Sequence, residues 1–98
     1  MQIVTIAGEA DIYTSESIDR VLQQLSEEMP AIVDLRACSY IDSSVIATLI
    51  RMRKRRADEV GLVVERDSIV ARVIDLTQID TSLPVSFTLT DARRRFQS

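Results

Sequence analysis

The chain has 98 residues, of which 46% are hydrophobic and 28% are charged, and its formal net charge is −3. This size and composition predict one globular domain spanning residues 1–98, and the mild acidity argues against a nucleic acid as the main partner. Histidine is absent and Cys38 is the only cysteine, which excludes histidine-based catalysis, His-containing metal sites and an intrachain disulfide. We therefore predict no metal and no cofactor.

The sequence has no apolar run of the roughly 18 residues that a membrane span needs, so we expect no direct membrane insertion. Residues 1–7 lead straight into a Gly-Glu-Ala-Asp segment and lack the basic start and cleavage site of a signal peptide. These features predict a cytoplasmic location.

The first part of the chain predicts a strand followed by a helix. Residues 3–7 are β-branched and apolar, which is typical of a strand, and Gly8 ends it. Thr14 and Ser15 predict the cap of the first helix. Its apolar face would carry residues at helical spacing: Ile18, Val21, Leu22, Leu25 and Met29. If that face is core, truncating Leu25 to alanine costs about 2–5 kcal/mol.

The middle of the chain predicts a buried strand and a second helix. Pro30 marks the break after the first helix, and residues 31–35 form a near-continuous apolar run that suits a parallel strand covered on both faces. Residues 40–41 are a second, shorter apolar segment. The second helix is predicted from about residue 43 to residue 57.

A third strand and a third helix are predicted next. Gly61 interrupts the chain, and residues 62–64 predict the strand. Asp67 and Ser68 are suited to cap the third helix. Its apolar face would consist of Ile69, Val70, Val73, Ile74 and Leu76.

The C-terminal residues predict one more strand and one more helix, which continue the alternation of strands and helices. Residues 84–87 predict a short last strand, residues 88–91 have the spacing of a capping box, and residues 89–96 predict a final helix. Strands that alternate with helices predict an α/β domain with a mixed, mostly parallel four-stranded sheet and about four helices.

The second helix has two distinct faces on a helical wheel. One face is apolar and consists of Val45, Ile46, Leu49, Ile50 and Met52. The opposite stripe contains Ser43, Ala47, Arg51 and Lys54, and the small Ala47 beside an exposed serine would let another protein approach closely. The basic run over residues 51–56 is interpreted as a solvated helix end rather than a nucleic-acid site.

The segment Asp42-Ser43-Ser44 has two compatible interpretations. Aspartate and serine are preferred N-cap residues because their oxygens accept hydrogen bonds from unpaired helix N–H groups. A helix N-terminus also accommodates a phosphate, so a serine here is a candidate for phosphorylation. Cys38, with no histidine to activate it, is interpreted as a small buried apolar residue.

Residues 32–52 resemble the signature of the STAS domain family. Its bacterial anti-sigma factor antagonists have a strand, a loop and the sequence Asp-Ser-(Ser/Thr)-Gly-Leu at the start of a helix. Residues 8–11 resemble the family's Gly-Glu-Leu-Asp before its first helix, and residues 83–92 resemble its last strand and helix. The resemblance covers nearly the whole chain and implies a single STAS domain.

The resemblance implies a protein-binding switch rather than an enzyme. Such antagonists bind an anti-sigma factor, often a serine kinase, and so release a sigma factor. The kinase inactivates the antagonist by phosphorylating the serine that corresponds to Ser43, and a PP2C-type phosphatase restores it. We expect the partner-binding surface to comprise Glu9, Asp11, Asp42, Ser43, Ser44, Ala47 and Arg51.

The sequence departs from the family pattern at two positions, because Val45 and Ala47 replace glycines. The chain also begins later than many members, so we expect their first edge strand to be absent and the exposed edge to allow a homodimer.

One alternative is a STAS module that is never phosphorylated, in a lipid-transport complex or a stress-signalling scaffold. Another is an enzyme using Asp11, Asp42 and Ser43, which the lack of a base near the serine disfavours.

The parallel topology predicts the geometry of the site. Segments that follow parallel strands meet at one edge of a sheet, so we expect Glu9, Asp11 and Asp42 to lie near one another. We also expect Ser43 to be accessible to solvent at the start of its helix.

Overall fold

A computed structural model describes residues 1–56, 60–79 and 83–96 of the chain. Its elements in chain order are β1 (Gln2–Thr5), β2 (Gly8–Ala10), α1 (Ile12–Gln23), β3 (Ala31–Asp34), β4 (Cys38–Ile41), α2 (Ser43–Arg56), β5 (Val60–Val63), α3 (Ile69–Thr77), β6 (Val85–Ser86) and α4 (Leu89–Arg94).

Four of the strands form a parallel sheet in the order β1-β3-β5-β6. The two central strands, β3 and β5, are buried along their whole length, which explains their unbroken apolar sequences. The remaining strands, β2 and β4, form a separate parallel ribbon. The predicted α/β class with a parallel four-stranded sheet is confirmed.

The core has two parts, one on each face of the sheet. Residues of α1, α2 and α3 pack on one face, where Leu22, Leu49 and Ile74 are almost completely buried. The other face is covered by α4, whose Ala92 packs against Ile32 and its neighbours. The sheet is thus enclosed between a thick layer of helices and a thin one.

The N-cap of the first helix lies three residues before the predicted cap Thr14. Asp11, not Thr14 or Ser15, is its N-cap, because the Asp11 carboxylate accepts hydrogen bonds from the backbone N–H groups of Tyr13 and Thr14 at 3.0 and 3.2 Å. Thr14 completes a capping box, since its hydroxyl oxygen accepts the backbone N–H of Asp11 at 3.0 Å. An aspartate at this position satisfies two unpaired N–H groups, so the helix starts there.

The predicted apolar face of α1 is partly wrong. Leu22 is fully buried, whereas Val21 and Met29 are 48% and 40% exposed. The helix ends at Gln23, so Leu25 and Met29 lie beyond it, and Leu25 packs against the core only in part. The periodic pattern continued past the helix end because the following turn happens to carry apolar residues.

Gly61 does not interrupt the chain but lies within β5, which begins at Val60. A Cβ built on Gly61 would lie 3.4 Å from the ring of Phe96, at ordinary van der Waals contact. Gly61 is therefore a strand residue that lies against the C-terminal segment, and it does not form a turn.

The third helix begins after Ser68, whose hydroxyl oxygen accepts the backbone N–H of Ala71 at 3.0 Å. The cap is confirmed, but the predicted apolar face is too wide. Val70 and Ile74 are buried, while Ile69 and Leu76 are 63% and 76% exposed.

The remaining element boundaries differ from the predictions by a few residues. The last strand, β6, contains two residues and α4 is shorter than predicted. The Thr88 hydroxyl oxygen accepts the backbone N–H of Asp91 at 3.1 Å, which confirms Thr88 as the cap of α4. The predicted end of the second helix at residue 57 lies outside the described residues.

Candidate functional site

The β2–β4 ribbon brings the two predicted halves of the site together. Glu9 is aligned with Tyr40 and Ala10 with Ile41. The ribbon continues into a hydrogen bond of 3.1 Å from the backbone N–H of Asp42 to the carbonyl of Ala10. The prediction that Glu9, Asp11 and Asp42 lie near one another is therefore confirmed, although neither segment was predicted to be a strand.

Asp42 caps α2 through one carboxylate oxygen. This oxygen accepts the backbone N–H groups of Ser44 and Val45 at 3.0 and 3.3 Å, and it also accepts the Ser44 hydroxyl at 2.5 Å. The hydrogen bond from the Ser44 hydroxyl is the main reason that the pKa of Asp42 is lowered. The backbone N–H groups of Val45, Ser44 and Ile12 lower this pKa further, and partial burial opposes them.

Two capped helix starts therefore lie side by side. Asp11 caps α1, Asp42 caps α2, and the two helices pack against each other. The cap interpretation of the Asp42 segment is confirmed. Both carboxylates are held in place by backbone N–H groups, so the edges of the site are rigidly defined.

The two serines of the motif have different environments. Ser44 is half-buried, and its hydroxyl donates to Asp42. Ser43 is the first residue of α2 and is exposed, as predicted. Within the described ranges the Ser43 hydroxyl has no hydrogen-bond partner. Only Ser43 therefore offers an uncommitted hydroxyl at this helix start.

The substitution of valine for the family's glycine is accommodated in the core. The Val45 side chain is completely buried, so it does not stand between Ser43 and the solvent. Its backbone N–H still donates to the cap at Asp42. The helix start keeps its geometry without the glycine.

The outer stripe of α2 runs away from Ser43. Ala47 is half-buried and Arg51 is exposed, one and two turns further along the helix. The Arg51 guanidinium donates to the hydroxyl oxygen of Thr48 at 3.0 Å, and this hydroxyl donates to the carbonyl of Ser44 at 3.1 Å. These contacts tie Arg51 back to the first turn of the helix.

The sequence analysis did not predict exposed apolar side chains on the elements that flank the Asp42 segment. Ile12 and Tyr13 in the first turn of α1 are 66% and 91% exposed, and Tyr40 in β4 is 46% exposed. The sequence does contain an indication of their exposure, because Ile12 and Tyr13 do not lie on the same side of a helical wheel as the buried Leu22. That signal becomes readable only when Asp11 is recognised as the cap.

Cys38 is buried, as predicted, and its thiol donates to the carbonyl of Tyr40 at 3.0 Å. Among the described residues, no group of three or more His, Cys, Asp or Glu side chains is placed to hold a metal ion. None of the helices in those ranges combines the length and apolar character that crossing a bilayer would demand.

The structure is a small parallel α/β domain with two aspartate-capped helix starts and an exposed serine at one of them. These are the features expected of the STAS domains that the sequence resembles. The family model of the STAS domain matches residues 1–92, so the chain belongs to the STAS domain family.

The chain is strongly similar to a solved structure of known class. The crystal structure of an anti-sigma factor antagonist from Mycobacterium paratuberculosis superimposes with a TM-score of 0.84 at 25% sequence identity. The match covers 95% of this chain and 82% of that chain. No curated protein shows significant sequence similarity to the chain.

Proposed function

We propose that this STAS domain is an anti-sigma factor antagonist that binds an anti-sigma factor and thereby releases a sigma factor. The observation that carries the proposal is the exposed, uncommitted hydroxyl of Ser43 at the start of α2. Support also comes from the similarity in fold and sequence to an anti-sigma factor antagonist.

The proposed binding surface surrounds Ser43. It comprises the predicted residues Glu9, Asp11, Asp42, Ser43, Ser44, Ala47 and Arg51, together with Ile12, Tyr13 and Tyr40. Exposed tyrosines supply large contact areas at little conformational cost and are enriched in protein interfaces. The half-buried Ala47 allows a partner to come close to the helix.

The proposed switch is phosphorylation of Ser43 by the bound anti-sigma factor acting as a serine kinase. A phosphate adds about −1.5 to −2 of charge at neutral pH. The helix N-terminus tolerates this charge, so the fold persists. Within the interface, however, the phosphate either loses its water or faces like charge, and either effect weakens binding. A PP2C-type phosphatase would restore the unmodified, binding-competent form.

The arrangement favours a role without catalysis by the chain itself. The nearest carboxylate to Ser43 in sequence, that of Asp42, is occupied by two backbone N–H groups and the Ser44 hydroxyl. These hydrogen bonds hold the pKa of Asp42 below its usual range, so its carboxylate is a weak base, and a serine without a base is a weak nucleophile. We propose that the protein acts in the cytoplasm, where sigma factors bind RNA polymerase.

The test is a kinase assay with the candidate anti-sigma factor and ATP, followed by mapping of the phosphate by mass spectrometry. We expect phosphate on Ser43 in the wild type and in Ser44→Ala, and no phosphate in Ser43→Ala. Ser44→Ala is the matched control because it removes the neighbouring hydroxyl, which is committed to Asp42.

Partner affinity is then measured for the same proteins. We expect Ser43→Ala to bind as well as the wild type and Ser43→Asp to bind more weakly. Phosphate found only at another residue would favour the non-phosphorylated STAS module instead. Failure of every variant to bind any anti-sigma factor would reject the proposed function.

A further inference from the structure

The first strand has one unpaired side. β1 lies at the edge of the sheet, with β3 as its neighbour. The backbone N–H groups of Gln2 and Ile6 donate to the carbonyls of Pro30 and Asp34, both at 3.0 Å. Because alternate residues of a strand point to opposite sides, the N–H and C=O groups of Ile3 and Thr5 point away from β3. No strand among the described residues pairs with them.

This edge lacks the usual protection against pairing. Edge strands commonly carry a charged residue, a proline or a bulge that discourages another strand. Residues 2–8 contain no charged side chain and no proline, and β1 pairs with β3 without a shift in register. The edge is thus chemically suited to accept a further strand.

An apolar groove of about 220 Å³ lies beside the same edge, between β1 and α1. Its lining contains no charged residue and consists of Val4, Thr5, Ile6, Ser17, Ile18 and Val21. The groove is open to solvent, since Val21 in its lining is 48% exposed. Ile3 on the strand is 37% exposed. Apolar surface next to an open strand edge favours association.

We propose that β1 pairs in antiparallel orientation with β1 of a second copy of the chain, about a twofold axis at Val4. The two outward-pointing residues lie symmetrically on either side of Val4. Ile3 of one copy would therefore exchange two hydrogen bonds with Thr5 of the other, and Thr5 with Ile3, which gives four hydrogen bonds. The two sheets would join into one continuous sheet.

Charge and shape both favour a second copy as the occupant. A twofold axis at Val4 brings Ile3 of one copy opposite Thr5 of the other and Val4 opposite Val4, and no charged side chain on the strand opposes this pairing. Val4 points to the α1 side, so the axis would place the two Val4 side chains together and merge the two apolar grooves. None of the residues proposed to bind the anti-sigma factor lies in β1 or in this groove.

The first test is analytical ultracentrifugation of the wild type and two double variants at several concentrations. The wild type should form a concentration-dependent dimer. Ile3→Lys/Thr5→Lys places lysine opposite lysine twice and should be monomeric. Ile3→Lys/Thr5→Glu places lysine opposite glutamate and should remain dimeric. Both positions are exposed, and circular dichroism checks that each variant is folded.

The second test is disulfide cross-linking, which reports the register. In the proposed pairing the two Val4 residues form a non-hydrogen-bonded pair with Cα atoms about 4.5 Å apart, within the range of a disulfide. Val4→Cys should therefore cross-link under mild oxidation. Thr5→Cys is the matched control, because its two copies would be diagonal neighbours about 7–8 Å apart and should not cross-link efficiently.

Three results would overturn the proposal. They are a wild type that stays monomeric at all concentrations, a lysine double variant that dimerises as well as the wild type, and a Thr5→Cys protein that cross-links as readily as Val4→Cys. Cys38 is buried and does not compete in the cross-linking. Because these variants leave the Ser43 surface unchanged, the anti-sigma factor assay distinguishes failure of the dimer from failure of the proposed function.

Discussion

The backbone N–H of Asp42 donates a hydrogen bond of 3.1 Å to the carbonyl of Ala10. The residue that caps α2 is thereby anchored on the strand that leads directly into α1. Its carboxylate at the same time orients Ser44 and the first turn of α2. The position of Ser43 therefore depends on Asp42 through both its backbone and its side chain.

Replacing Asp42 by alanine should lower the melting temperature by several degrees. The change removes the acceptor for two N–H groups of α2 and for the Ser44 hydroxyl, so these donors lose their partner. Thermal unfolding followed by circular dichroism measures the effect. Ser43→Ala is the control and should melt with the wild type, since its hydroxyl makes no bond within the described residues. Equal melting of all three proteins would contradict the structural role of Asp42.

The same carboxylate should make stability depend on pH in the acid range. The pKa of Asp42 is held below its ordinary value of 3.8 in the folded protein, first of all by the Ser44 hydroxyl. A depressed folded-state pKa contributes stability that is present above the unfolded pKa and is lost as the pH falls through the folded pKa.

The measurement is the melting temperature of the wild type and of Asp42→Asn from about pH 7 down to about pH 3. We expect the advantage of the wild type to be largest near neutral pH and to shrink below about pH 4. The buried Asp34, whose pKa is also lowered by its hydrogen bond from Arg36, should give both proteins the same remaining loss in acid. An advantage that grew in acid would contradict the sign of the pKa shift.

The parts of this fold that the sequence predicts are those with local signals. The apolar run of β3 and the cap at Asp42 are each visible within a few neighbouring residues. The β2–β4 ribbon was missed because its strands are very short and their pairing, such as Glu9 with Tyr40, joins segments far apart in the chain. The resemblance pointed to Ser43, but the sequence does not show why Ser44 is unavailable, because that depends on the hydrogen bond from its hydroxyl to Asp42.

Two leucines of the predicted α1 face should differ in their contributions to stability. Leu22 is completely buried, so Leu22→Ala should cost about 2–5 kcal/mol of unfolding free energy. Leu25 lies after the helix and is only half-buried, so Leu25→Ala should cost clearly less. Urea denaturation of both variants gives the two values. A larger loss for Leu25→Ala would show that Leu25 belongs to the core and that the boundary of the core drawn here is wrong.

The two glycines should respond differently to the same substitution. Gly8 has a φ of 77°, in the left-handed region, so Gly8→Ala should cost roughly 1–2 kcal/mol although the space around it is open. Gly61 has ordinary backbone angles, and its added Cβ would contact the Phe96 ring at 3.4 Å. Gly61→Ala should therefore be better tolerated. Denaturant titration of the matched pair checks this order, and the reverse order would argue that packing rather than backbone strain decides.

Tyr13 provides the sharpest test of the proposed binding surface. Its side chain is 91% exposed, so Tyr13→Ala removes almost no intramolecular contact and should leave the melting temperature unchanged. A tyrosine buried by a partner is commonly worth more than about 1 kcal/mol, so affinity for the anti-sigma factor should fall at least several-fold. Leu76→Ala is the control, because Leu76 is 76% exposed and lies on α3, which contributes no residue to the proposed binding surface. Titration calorimetry with the same anti-sigma factor compares the two variants. If Tyr13→Ala binds as tightly as Leu76→Ala and the wild type, the Tyr13 side chain does not belong to the interface.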